Sequence, residues 1–285
     1  GSAFGDLLTG DSGSNNLNGG GGDDVLIGGA GGDTLIGGTG FDTASYAAAT
    51  SGLTVNLSNS LANTGEATGD SFNSIEHLIG SAFADTLTGD GNANTLNGGN
   101  GNDTLDGGAG GDTLIGGAGT DIADYSGSSA GVTLNLNTAT GTGSTGDATG
   151  DTLTGIEHVI GSATADQFSL DLTAGWTVDG GAGNDRVSLA SSGSAFVTTG
   201  SLLGVLTHTE DINFTGSGIT AILSVDAGFI QSIVGSGNSS HLTVEVDGGD
   251  FVGVASGSHY TQSGSDYTFY SDATLTTQVA QLTVA

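Results

Sequence analysis

Through two stretches of the chain a single apolar residue returns every nine positions: Leu8, Leu17, Leu26, Leu35 and Ala44, then Leu87, Leu96, Leu105, Leu114 and Ala123. Its flanking residues are mostly Thr, Asn, Val or Ile, and two places before it stands Asp or Asn. A helix would need apolar residues at every third or fourth place, and no such pattern survives over three turns anywhere in the chain. The nine-residue spacing predicts a three-residue strand whose middle side chain points inward, followed by a tight turn. Two such units, turn–strand–turn–strand, close one coil of 18 residues.

The turns are written in glycine and acid. From Gly1 the chain reads GSAFGDLLT, GDSGSNNLN, GGGGDDVLI, GGAGGDTLI and GGTGFDTAS, and from Gly80 it reads GSAFADTLT, GDGNANTLN, GGNGNDTLD, GGAGGDTLI and GGAGTDIAD. Two further units, GSATADQFS from Gly161 and GGAGNDRVS from Gly180, flank a less regular stretch with Trp176. Seven units carry the whole GGxGxD core, starting at Gly19, Gly28, Gly37, Gly98, Gly107, Gly116 and Gly180. Glycines at positions one, two and four allow positive φ and close backbone approach, so that carbonyl oxygens line the turn. The candidate carbonyl donors are Gly20, Gly22, Gly29, Gly31, Gly99, Gly101, Gly108 and Gly110. Stacked coils put Asp6 over Asp24 over Asp42, and Asp85 over Asp103 over Asp121. Asn15 and Asp33 take the opposite edge, as do Asn94 and Asp112, while Asp166 and Asp185 belong to the third, degenerate coils.

Two connectors follow the arrays. In each a strand alternates, Leu53-Val55-Leu57 and Val132-Leu134-Leu136, and each ends in Ile-Glu-His before the next GSA unit. The connectors also carry the acids Asp70 and Asp151. From about Leu189 glycine thins, and Thr, Val, Ile and Ser rise. Leu242, Val244 and Val246 alternate there, and Phe214, Phe229, Phe251, Tyr267, Phe269 and Tyr270 supply bulk to close an open end. The expected division is 1–79 and 80–160, each an array plus its connector, then 161–188 as degenerate coils and 189–285 as a β capping module.

Charge sharpens this picture. The 285 residues hold 31 Asp and Glu against one basic side chain, Arg186, for a formal net charge of −30. Such a field excludes nucleic acid and anionic membranes as partners. The chain has no Cys, so neither disulfides nor thiolate metal sites are available. No apolar run reaches the roughly 20 residues needed to span a bilayer, so membrane insertion is not expected. In-register carboxylates repel, and the missing positive partner is a metal ion. The donors are carboxylates and peptide carbonyls only, which favours Ca²⁺ over Zn²⁺, Cu²⁺ or Mg²⁺. Six ions are expected from the two arrays, with a few more in the connectors. Acidification toward the carboxylate range is expected to release them and unfold the coils.

The nonapeptide GGxGxDxUx resembles the calcium-binding repeat of the RTX (repeats-in-toxin) proteins. The resemblance implies an all-β fold, a parallel β-roll or right-handed β-solenoid, with several Ca²⁺ ions between stacked turns. The connectors resemble the inter-array pieces of secreted bacterial RTX proteins, which implies Asp70 and Asp151 as further calcium ligands, with simple surface acids as the other reading. The last 80 or so residues resemble the C-terminal β module of type-I-secreted adhesins and surface proteins. The implied location is the extracellular space or the bacterial cell surface.

Motifs that mimic catalytic sites lack their context. GSSAG at 127–131 fits a nucleophile elbow, which needs a strand-to-helix turn, and no helix is predicted. His77 and His158 occupy equivalent places in separate repeats and do not converge with other zinc ligands. Trp176 reads as packing. The expected function is a non-enzymatic, calcium-folded structural or adhesive element, with cell-surface polysaccharide or further copies of itself as candidate partners. The alternative is a non-catalytic accessory module of a secreted epimerase, protease or lipase.

Overall fold

The structure is a computed structural model that describes residues 1–190, 196–198, 205–209 and 211–213. It also describes the strands Thr220–Val225, His241–Glu245, Phe251–Val254, His259–Ser263, Asp266–Tyr270 and Gln278–Val284. Among the described residues there is no α-helix, and three 3-10 turns, Ser60–Ala62, Gly65–Ala67 and Gly146–Ala148, accompany the strands. The strands stack in parallel, and the fold is an all-β parallel β-roll. It forms two compact units, Gly1–Tyr125 with Thr140–His158, and Ser126–Ala139 with Val159–Ala285. This division cuts through the second connector.

The first unit holds three sheets. In the longest, Leu7–Thr9, Val25–Ile27, Thr43–Ser45, His77–Ile79, Thr95–Asn100, Thr113–Ala118 and Thr152–Thr154 lie side by side. Their middle residues form one row, Leu8–Leu26–Ala44–Leu78–Leu96–Leu114–Leu153. Thr140–Thr145 pairs antiparallel with Thr152–Thr154. A second sheet pairs Asn16–Gly21, Thr34–Thr39 and Ser71–Asn73. A third pairs Thr54–Asn56, Thr86–Thr88, Thr104–Asp106 and Ile122–Asp124. Because side chains alternate along a strand, only the middle residue of each triplet turns inward. Leu26, Leu35, Leu78, Leu87, Leu96, Leu105 and Leu114 are fully buried as a result. Leu8 and Leu17 are half-buried, since the first coil is covered on one side only.

The first connector departs from the simple stack. Its strand Thr54–Asn56 pairs forward with Thr86–Thr88, and Ser71–Asn73 pairs back with Thr34–Ile36. The sheet that carries Leu8, Leu26 and Ala44 therefore continues into the second and fourth units of the second array. Both connectors contain the same turn, TGEATGD and TGDATGD. Gly65 and Gly146 take φ of 67° and 60°, Ala67 and Ala148 are fully buried, and the Thr68 and Thr149 hydroxyls donate to the Gly65 and Gly146 carbonyls. This turn delivers Asp70 and Asp151 to the strand that follows.

In the second unit Thr133–Leu136, Gln167–Asp171, Arg186–Ala190, Asp211–Asn213, His241–Glu245 and Gln278–Val284 form a parallel ladder. The parallel stacking thus runs on past the last nonapeptide. It ends where Asp266–Tyr270 pairs antiparallel on Gln278–Val284 and His259–Ser263 pairs antiparallel on Asp266–Tyr270 in turn, which covers the open edge. Of the bulky residues expected there, Phe214 and Phe229 lie outside the described residues, as does Val246. Trp176 is buried and donates its Nε1–H to the Thr138 carbonyl at 2.8 Å, which is a packing role. GSSAG sits in a loop ahead of Thr133–Leu136 with no helix after it.

Leu105→Ala empties a fully buried place and should cost roughly 2–5 kcal/mol. Leu8→Ala, in the half-buried first coil, should cost less than half as much. Denaturant midpoints measured in saturating calcium compare the two directly, and equal losses would contradict the stacked core.

Candidate metal centre

The residue at position six of each nonapeptide is tied to the next coil through its backbone. Asp6 N–H donates to Asp24 Oδ1 and Asp24 N–H to Asp42 Oδ1, both at 2.8 Å across 18 residues. Asp85 donates to Asp103 and Asp103 to Asp121 in the same way, again at 2.8 Å. On the opposite edge Asn15 donates to Asp33 at 2.8 Å and Asn94 to Asp112 at 2.7 Å. In the second unit Val132 donates to Asp166 at 2.7 Å and Asp166 to Asp185 at 2.9 Å. The carboxylates therefore stand in columns, as the stacking of nonapeptides predicts.

Two columns go further than the nonapeptides do. Asp42 N–H donates to Glu76 Oε2 and Asp121 N–H to Glu157 Oε2, each at 2.9 Å. Sequence reasoning passed over both glutamates. The signal is that Glu76 stands just before the strand His77–Ile79, where Asp24 stands before Val25–Ile27.

Asp24, Asp33, Asp42, Asp103, Asp112 and Asp121 are at most 1% exposed, and each has its Oδ1 engaged by a backbone N–H. In all six the second oxygen, Oδ2, is buried without a hydrogen-bond partner. A buried, unpaired carboxylate oxygen is costly, and this one recurs at every GGxGxD turn of both arrays. Burial, against the Asp85 N–H bond and with the charges of Asp121 and Asp85, pushes Asp103 up to about 6. Burial likewise carries Asp112 to about 7, helped by Asp151, Asp90 and Asp106, and it also raises Asp42 and Asp121.

Glycine makes room around that oxygen. A methyl group on Gly98 would lie 2.3 Å from Asp103 Oδ2, and one on Gly107 2.4 Å from Asp112 Oδ2. At positions two and four the obstacle is the preceding coil's carbonyl. A methyl on Gly117 (φ 110°) would lie 2.0 Å from Gly99 O, and one on Gly108 2.4 Å from Asp90 O. Gly20, Gly22, Gly29, Gly31, Gly99, Gly101, Gly108 and Gly110 all take positive φ, from 79° to 142°. At position one glycine serves the close approach and not positive φ. Gly19, Gly28, Gly98 and Gly107 do not adopt it, and glycine is required there to clear the carboxylate.

The turn is thus a small cradle lined by a carboxylate oxygen and peptide carbonyls. No group of three His, Asp or Glu side chains converges among the described residues, so carbonyls must provide the remaining donors. An all-oxygen set of this kind fits a hard, adaptable cation such as Ca²⁺, and the orphaned Oδ2 atoms are where it would bind. His77 stacks on Phe41 at a ring separation of 6.0 Å instead of joining a metal cluster.

Other candidates are already satisfied. Asp85 takes Ser81 N–H on Oδ2 at 2.6 Å and the Ser81 hydroxyl on Oδ1 at 2.9 Å, and Asp166 has the same pair from Ser162 at 2.7 and 2.8 Å. Asp6 Oδ2 takes Ser2 N–H, which holds its carboxyl below the ordinary range. Asp70 and Asp151 are buried, so the surface-acid reading is corrected. Their Oδ2 atoms accept the hydroxyls of Tyr46 at 2.6 Å and Tyr125 at 2.9 Å. Burial pushes Asp70 up, and carries Asp151 to about 6.

A roll of coils held in register by buried carboxylates, with oxygen-lined turns at glycine, defines a class of cation-binding β-solenoids. The family model of the RTX calcium-binding nonapeptide repeat matches the chain in four copies, at residues 1–44, 71–105, 88–123 and 177–191, and the chain carries RTX calcium-binding repeats. No curated protein matches it.

The raised carboxyls of Asp103, Asp112 and Asp151 reverse the expected effect of acid on the metal-free roll. Their folded values of about 6 to 7 lie above the ordinary 3.8. Their contribution to stability is full below 3.8 and is lost as pH rises through 6 to 7. Protons thus replace calcium in part: in chelator, structure should increase as pH falls from 8 to about 4, while calcium affinity weakens. Circular dichroism across that window checks both, and a metal-free signal that only declines would contradict it.

Proposed function

We propose that this chain is a calcium-folded structural or adhesive domain of a secreted or cell-surface protein, with no catalysis of its own. The observation that carries the reading is the set of six buried Oδ2 atoms left without partners in the GGxGxD turns. Bound calcium would supply the positive charge that Arg186, the one basic side chain, cannot. In calcium-poor surroundings the net charge of −30 keeps the chain open. Millimolar extracellular calcium then links folding to binding, so that the protein becomes rigid only outside the cell. No helix among the described residues is long and apolar enough to cross a membrane.

The outward positions of the longest sheet in the first unit support a partner without charge. Val25, Ile27, Thr95, Asn97, Thr113 and Ile115 face out there, and no carboxylate does. A neutral cell-surface polysaccharide can approach this face without repulsion, and another copy of the roll can do so once bound calcium has reduced the charge of −30.

Far-ultraviolet circular dichroism tests the calcium reading. The chelated protein at a pH of about 8, above the Asp112 value of about 7, should give a coil spectrum, and calcium should bring in the β signal cooperatively. An unchanged spectrum and melting point in chelator would defeat it.

A further inference from the structure

The nonapeptide turns are of two kinds, and the residue at position two separates them. In the six GGxGxD turns of the arrays position two is glycine at positive φ, as at Gly20, Gly29, Gly38, Gly99, Gly108 and Gly117, and the position-six Oδ2 has no donor. Where Ser or Asp stands at position two, its N–H turns onto the position-six side chain. Asp11 and Asp90 donate to Asn15 and Asn94 Oδ1 at 2.8 Å, while Ser2, Ser81 and Ser162 donate to Asp6, Asp85 and Asp166 Oδ2. The serine hydroxyls of Ser81 and Ser162 add a bond to Oδ1 and accept the Phe83 and Thr164 N–H at 3.1 Å. Asp85 also accepts Leu53 N–H at 2.9 Å, so its two oxygens take three donors. A carboxylate held by two or three donors needs no cation. Asn15 and Asn94 show the same thing chemically, since a neutral amide fills position six where the turn is closed.

These closed turns make up the first coil of each array, and the open ones follow. At the far ends of two columns Asp70 and Asp151 take a backbone N–H on Oδ1, from Asp33 at 2.8 Å and Asp112 at 2.7 Å, and a tyrosine hydroxyl on Oδ2. Tyr46 and Tyr125 are both 2% exposed, so these bonds are shielded from water.

We propose that donors built into the chain answer the carboxylates that open each array and those that end the Asp33 and Asp112 columns, so that calcium is confined to the GGxGxD turns between. Asp6, Asp85 and Asp166 at the start, and Asp70 and Asp151 at the finish, are metal-free rungs. Asp85 and Asp166 each take three donors from the chain, Leu53 N–H and Val132 N–H included, so neither of their oxygens is left unanswered for a cation. A serine or tyrosine donor carried by the chain satisfies the carboxylate there at any calcium concentration. The opening coil of each array can then form without metal and offer the next coil a template, which lowers the cost of starting the stack.

This inference rests on the calcium reading, and counting bound ions separates the two. Calcium per chain is measured by equilibrium dialysis with metal analysis at saturating calcium. The unaltered protein is compared with Asp6→Asn, Asp85→Asn and Asp151→Asn, and with Asp103→Asn and Asp112→Asn. The first three should bind as many ions as the unaltered chain, and each of the last two should lose at least one. Should Asp85→Asn fail to fold, Asp6→Asn in the half-buried first turn and Asp151→Asn decide the point. Loss of an ion from a capping variant, or none from Asp103→Asn and Asp112→Asn, overturns the capping proposal. No calcium bound by the unaltered chain overturns the calcium reading itself.

Discussion

Everything in this structure depends on the bond between the backbone N–H before one strand and the carboxylate before the strand a coil further on. At 2.7–2.8 Å across 18 residues it sets the register of the coils and stacks like charges in one line. The same bond that orders the roll thus creates its main electrostatic liability. A carboxylate can accept from a backbone N–H with one oxygen only if something answers the other. In the GGxGxD turns of the arrays no group of the chain does so, and the oxygen is left for a cation.

Glycine governs where that cation can go. At position two, positive φ turns the peptide so that its N–H leaves the carboxylate unanswered; at position one, the missing side chain leaves room beside Oδ2. Replacing the second glycine of the turn with serine, as the chain does at Ser81 and Ser162, converts a cation cradle into a closed hydrogen-bonded turn. The closed turns also lack the glycine at position four, where Phe83 and Thr164 stand. On the capping proposal the GGxGxD turns need calcium and the closed turns beside them do not.

Much of this was legible in the chain itself, because a period of nine is a geometric statement. The inward row from Leu26 to Leu114, the aspartate columns and the positive-φ glycines at positions two and four follow from spacing alone. The path of the connectors does not. Thr54–Asn56 reaches ahead to Thr86–Thr88 before Ser71–Asn73 turns back, a choice made by tertiary pairing that no local pattern announces. Glu76 and Glu157 escaped notice because a longer side chain does the work of aspartate from outside the nonapeptide. Asp70 and Asp151 were visible as acids, but their tyrosine partners lie 24 and 26 residues away in sequence and meet them only on folding.

Calcium anomalous scattering from crystals grown with the ion would test the central claim most directly. Density should appear beside Oδ2 of Asp24, Asp33, Asp42, Asp103, Asp112 and Asp121, the atoms that the fold leaves unanswered. Crystals of the folded roll without calcium density at those six atoms would contradict the account.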